Sequence, residues 1–145
     1  MLKIPPPVWM FIYLAIAGAL SLAFAFPHFG NVPLGIALTA LGAAIAFWGR
    51  YIFHVEGTQI MPTSETNKKL VQRGPFAFTR NPMYLGLVTF SLGLALWIGA
   101  AALYAVPVAM FITTNWVHIP FEEAKMRRQY GIVFDDYAKR VRRWI

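Results

Sequence analysis

Apolar residues along the chain gather into four runs, about Val8–Pro27, Val32–His54, Met83–Gly99 and Ala101–Ile119. At a rise of about 1.5 Å per residue, a run of twenty crosses a hydrocarbon core about 30 Å thick, and the third run only barely does. The connections at 28–31 and 99–101 are very short, so the first and second runs predict one helical hairpin and the third and fourth another. Small residues recur at four-residue spacing, Ala15, Ala19 and Ala23 in the first run and Gly35, Thr39 and Ala43 in the second. That spacing predicts close helix approach in lipid, where burial of apolar surface supplies no drive. The expected fold is all-α and membrane-integral, with four transmembrane helices as two hairpins in a single domain over 1–145.

Beyond Ile119 the pattern changes. From about Phe121 to Ile145, interrupted near Gly131, Phe134, Tyr137, Val141 and Trp144 recur at three- and four-residue steps with Lys and Arg between them. This predicts a helical tail lying in the membrane interface. At the other end Pro5-Pro6-Pro7 makes an extended lead-in to the first run. Lys3, the first run and Ala23-Phe24-Ala25 together resemble a cleavable signal peptide. The run is about twenty residues, longer than the usual core of about 7–15, so it is read as a retained span.

Composition agrees with this pattern. Of 145 residues, 58% are apolar, 16% aromatic and 13% charged, against about a quarter charged in soluble domains. No cysteine is present, which excludes disulfides, thiolate metal sites and cysteine nucleophiles. The thirteen Lys and Arg fall in three places: Lys3, the stretch from Arg50 to Arg80, and Lys125 to Arg143. All six acidic residues lie within the last two of these or, for Glu122 and Glu123, just before the last. With four spans, the three places share one face, which the positive-inside rule makes cytoplasmic. Both termini are then cytoplasmic, as in a protein of the bacterial inner membrane. The net charge of +7 reads as an orientation signal with some attraction to anionic lipid, not as a nucleic-acid footprint.

The residues that remain for chemistry form one polar layer at the cytoplasmic boundary. The chain has no GxGxxG, GxxxxGK[ST], HExxH or GxSxG sequence, and His28, His54 and His118 lie too far apart in the chain to suggest a metal site. One side of the layer is the loop from Thr58 to Tyr84, which contains RGPFAFTRNPMY at 73–84. The other is HIPFEEAK at 118–125. Glu122 and Glu123, just past the fourth run, suit either a solvated pair at a helix start or a functional site. Arg80-Asn81-Pro82 reads equally as a turn leading into a helix. That leaves Phe76, Phe78 and Tyr84 unexplained. Three aromatics beside two carboxylates suit a ligand with a positive centre and an apolar part.

At these residues the sequence resembles the isoprenylcysteine carboxyl methyltransferases, a broad group of membrane enzymes that also resembles the phospholipid N-methyltransferases. The resemblance rests on LVQRGPFAFTRNPMYLG at 70–86 and EEAKMRRQYGIVFDDYAKRVRRW at 122–144. The motif slots hold Leu70, Val71, Gly74, Phe76, Arg80, Asn81, Pro82, Tyr84, Glu122, Glu123, Tyr130, Gly131, Phe134 and Tyr137. It implies a methyltransferase that takes S-adenosylmethionine, leaves S-adenosylhomocysteine, and acts on a membrane lipid or other lipophilic acceptor. By motif position, Lys68, Lys69, Leu70, Val71, Phe76, Asn81, Tyr84 and Glu122 would contact the cofactor. Arg80 would orient the acceptor or support the loop, and Glu123 is a candidate base. No metal is implied. Membrane sterol reductases, which share a related architecture and use NADPH, are the alternative class, with a non-catalytic membrane scaffold as a third reading.

Two positions depart from the eukaryotic members. Asn81 stands where they carry histidine, and it cannot titrate near neutral pH. The stretch Thr114-Asn115-Trp116-Val117-His118 holds no arginine, where theirs is thought to meet a substrate carboxylate. The acceptor stays open among lipid amine, thiol, isoprenoid acid and small amphiphile, and the sequence fixes no oligomeric state.

Overall fold

The computed structural model describes residues 4–57 and 70–145. Among them the structure is helical with no strand. Helices α1 (Pro6–Ala23) and α2 (Val32–Val55) are followed by a short 3-10 turn (Gly74–Ala77) and α3 (Pro82–Ile98). A second 3-10 turn (Ala101–Tyr104) leads into α4 (Ala105–Thr113), a π-turn (Thr114–His118) and α5 (Ile119–Tyr130), then α6 (Ile132–Arg140). Proline occupies the first turn of α1, α2 and α3, where its missing N–H costs nothing.

Three stretches are long and apolar enough to cross a membrane: Pro6–Ala23, Val32–Val55 and the continuous Ala101–Tyr130. Helix α3 is apolar but has 17 residues. The fourth apolar run, expected to end at Ile119, continues helically to Tyr130. Pro120 lacks the N–H that would bond back to the preceding turn, and the chain absorbs the defect by widening at 114–118 instead of breaking. Thr114 helps, donating its hydroxyl to Met110 O at 2.7 Å. As a result Glu122 and Glu123 ride on the same helical rod as the apolar run.

The short connections meet one another. Phe29 N donates to Gly99 O at 2.8 Å, Asn31 N to Leu96 O at 2.9 Å and Ala101 N to Pro27 O at 3.2 Å. Gly99 closes α3 in the left-handed region at φ +80, a conformation natural to glycine. Helix packing does not simply follow sequence order. The closest pairing is α2 along α3, while α1 lies against the 101–104 turn and α4. The small residues of α2 explain that choice. A methyl placed on Gly42 would stand 2.6 Å from Gly86 O and 2.7 Å from Phe90 Cα, and one on Gly86 would stand 2.7 Å from Ala46 N. Only glycine lets the two backbones approach so closely.

In α1 the small-residue expectation fails. Ala15, Ala19 and Ala23 are exposed, whereas Met10 and Ala17 are buried and Tyr13 donates or accepts a hydrogen bond with Thr113 Oγ1 at 2.7 Å. The inward face of α1 is the one that fits the larger side chains Leu103, Val106 and Met110. The close packing of α2 on α3 makes Gly42→Ala a stability mutant. It should cost about 1–3 kcal/mol through overpacking, read as a lowered midpoint of unfolding in detergent. Gly18→Ala, where a methyl meets nothing within 4 Å, should leave the midpoint near wild type.

Candidate functional site

The segment from Leu70 to Asn81 lies across the ends of α2 and α3. Gly74, at φ +61, turns the chain where Ile52 Cγ1 would be only 3.1 Å from a Cβ, so the loop sits down on α2. Phe76 is thereby buried with Ile52 and Val71, its ring 4.8 Å from that of Phe53. Phe78, in contrast, is exposed and joins neither wall.

The facing wall comes from α5. Pro120 and the π-turn set the phase of this helix so that Glu122 and Glu123 are presented to the loop. Tyr84, one turn into α3 and buried, donates its hydroxyl to Glu122 Oε1. Glu123 is held by two guanidiniums: Arg80 NH2 donates to Oε1 at 2.8 Å, and Arg143 donates from Nε to Oε1 at 3.2 Å and from NH2 to Oε2 at 2.8 Å.

The third wall is the tail, and here the expected interfacial helix is corrected. Phe134 and Tyr137 are each only 3% exposed, and α6 ends at Arg140, so Val141 and Trp144 do not share its face. Gly131, at φ +52, reverses the chain after α5 and folds α6 back on the loop. Tyr137 then donates its hydroxyl to Phe76 O at 2.7 Å. Burial pushes this phenol up to about 12, against the opposing charges of Arg80 and Arg140, so it stays a donor at any physiological pH. The last residues are tied to the 79–81 segment. Arg80 N donates to Arg142 O at 3.0 Å, and Thr79 Oγ1 and Asn81 Nδ2 both donate to Arg143 O, at 3.1 and 2.9 Å. Trp144 Nε1 donates to Asn115 Oδ1 at 3.0 Å.

Between the three walls lies a cleft with about 80 Å³ of free space, lined by Phe53, Leu70, Val71, Phe76, Arg80, Asn81, Glu122, Glu123, Met126, Phe134 and Tyr137. Ligand pockets commonly run to about 300–1,000 Å³, and this cleft is smaller. Seven residues expected to contact cofactor or acceptor or to act as a base therefore meet at one place: Leu70, Val71, Phe76, Arg80, Asn81, Glu122 and Glu123. Tyr84 is not in the lining and stands behind Glu122. Lys68 and Lys69 lie outside the described residues. Phe53 and Met126 carried no signal in the sequence. Phe134 and Tyr137 did carry one, as motif slots, but their helical spacing suggested a lipid-facing stripe. Arg143 brings a guanidinium to Asn115 at 3.4 Å, in the stretch that has no arginine of its own.

Electrostatically the two glutamates differ. Glu123 has its oxygens taken by arginines, whereas Glu122 faces a mostly apolar and aromatic cleft with Tyr84 fixing one oxygen. Such a carboxylate favours a cationic ligand, and the rings of Phe53 and Phe76 favour the same ligand through their faces. The profile of the phospholipid methyltransferase family matches residues 31–132, more than two thirds of the chain. No curated protein and no solved structure matches it.

Proposed function

Because the chain belongs to the phospholipid methyltransferase family, we propose that it is an S-adenosylmethionine-dependent methyltransferase acting on a lipophilic acceptor at the cytoplasmic face. What supports the cofactor assignment is Glu122: a carboxylate positioned by Tyr84 in a cleft walled by Phe53, Phe76 and Val71. This donor set fits a ligand that joins a cationic amino-acid end to an aromatic base. Bound there, the cofactor would supply an electrophilic methyl group on a sulfonium. Glu122 would hold the ammonium, the rings would face the positive centre, and Leu70 and Val71 would offer an apolar slot with main-chain partners.

The remaining residues take supporting parts in this reading. Arg80 and Asn81 are positioning residues, since their side chains fasten the loop to Glu123, Ala138 O and Arg143 O. Glu123 joins them: with both oxygens occupied by arginines it organises the site. Lys68 and Lys69 would lie on the cofactor side. Catalysis would then rest on proximity and orientation, worth at most about 7–11 kcal/mol. The topology that goes with this function has four membrane crossings, α3 the shortest, with both termini in the cytoplasm of a bacterial cell.

Calorimetry on the detergent-solubilised protein tests the assignment. Saturable binding of S-adenosylhomocysteine and no binding of NADPH is the expected result. NADPH binding alone would transfer the chain to the reductase class, and binding of neither would make it a scaffold.

A further inference from the structure

Arg80 and Arg143 share a single carboxylate, Glu123. Glu122, the other carboxylate of the cleft, bonds to Tyr84 and to neither arginine. The two arginines are not equivalent. Arg80 has a side chain only 12% exposed and commits NH1 to Ala138 O at 2.9 Å. Arg143 is 35% exposed. A guanidinium carries five N–H donors. Arg143 uses two on Glu123 and one, at 3.4 Å, on Asn115 Oδ1. One donor on each terminal nitrogen is left on its outer edge.

That edge stands beside an aromatic surface. Trp144 bonds to the same Asn115 oxygen as Arg143 and packs its ring 4.9 Å from Phe111. Phe111 in turn meets Trp116 edge-on at 5.9 Å, and Trp116 is 63% exposed. Both lie on the Ala101–Tyr130 rod that is apolar enough to cross a membrane. A half-free cationic fork above lipid-facing rings matches an amphiphile with a negative head and an apolar chain.

We propose that the outer edge of Arg143 receives the anionic headgroup, phosphate or carboxylate, of one lipid whose chain lies along Phe111 and Trp116. Arg143 falls outside the matched residues 31–132, so family membership does not assign it this part. In identifying that lipid with the methyl acceptor, the inference rests on the function proposed above. Glu123 and Arg80 would then link the headgroup site to the cleft, and the C-terminal segment would be the acceptor-side wall.

The test follows the unfolding midpoint of the full chain in dodecyl maltoside during titration with dodecyl phosphate, dodecanoate or dodecanol. The wild type should show a saturable rise with the two anionic amphiphiles and none with dodecanol; whichever anion binds tighter identifies the headgroup. Arg143→Gln should weaken that binding about 10-fold or more, while Arg140→Gln, on the exposed side of the tail, should not. A second measurement uses the wild type alone: dodecyl phosphate should protect Arg143 from phenylglyoxal, as mapped by mass spectrometry, and leave Arg140 and Arg142 reactive. Undiminished binding by Arg143→Gln, equal protection of all three arginines, or an equal rise with dodecanol would overturn the proposal. Titration of both proteins with S-adenosylhomocysteine separates the two readings. A wild type that binds the amphiphile but not S-adenosylhomocysteine sinks the methyltransferase assignment and leaves the headgroup site standing.

Discussion

Glu122→Gln should lose about 10- to 100-fold in affinity for S-adenosylhomocysteine while unfolding at nearly the wild-type midpoint. The amide keeps the shape of the side chain and an oxygen that accepts from Tyr84. Tyr84 is therefore not left as a buried orphan, which would itself cost stability. What disappears is the negative charge in the cleft. A hydrogen bond to a charged partner contributes about 1.5–3 kcal/mol, which converts to the stated range. Calorimetric titration reads the affinity and a thermal ramp reads the fold. An unchanged affinity would remove Glu122 from the cofactor site and with it the main structural support for the reading.

The sequence indicated that a site would lie where the 70–84 loop meets the end of the fourth apolar run, and seven of the residues expected to contact cofactor or acceptor or to act as a base share one cleft. Two kinds of information were missing. The first concerns which face of a helix turns inward. Four-residue spacing of small side chains in α1 and α2 looked equivalent, yet only α2 uses its glycines for close approach, because only there does another backbone carrying glycine, α3, lie alongside. Periodicity describes a stripe without saying what lies against it.

The second concerns the tail. Phe134 and Tyr137 at helical spacing among arginines look the same whether the rings meet lipid or a loop. The outcome was decided by Gly131, which reverses the chain, and by Phe76 O, which takes the Tyr137 hydroxyl. Phe76 lies 61 residues from Tyr137, and helical spacing does not say that Gly131 turns α6 onto it. The same holds for Glu123, separated by 43 residues from Arg80 and by 20 from Arg143. An acidic pair next to a membrane was ambiguous between solvation and function because the deciding partners lay at long range.

Those partners make Glu123→Ala the most damaging single change expected in the folded chain. Removing the carboxylate leaves two guanidiniums facing each other without their common acceptor, one of them nearly enclosed. Breaking a buried ion pair by deleting one partner costs about 3–5 kcal/mol, and the partial exposure of Arg143 argues for the lower end, about 3. Denaturant titration in detergent should show the loss directly. Adding Arg143→Gln to Glu123→Ala should restore part of the stability, because it withdraws one of the two stranded charges; the pair should depart from additivity in that direction. If Glu123→Ala unfolds at the wild-type denaturant concentration, the arginine pairing contributes nothing, and Glu123 returns to candidacy as a base. Where the variant is kept folded at low temperature, its affinity for S-adenosylhomocysteine should stay within a few-fold of wild type. Neighbouring glutamates would thus show opposite signatures, Glu122 in ligand affinity and Glu123 in stability. A single residue step of helix, about 100°, produces that division by pointing the first carboxylate at a tyrosine and an aromatic cleft, and the second at two arginines.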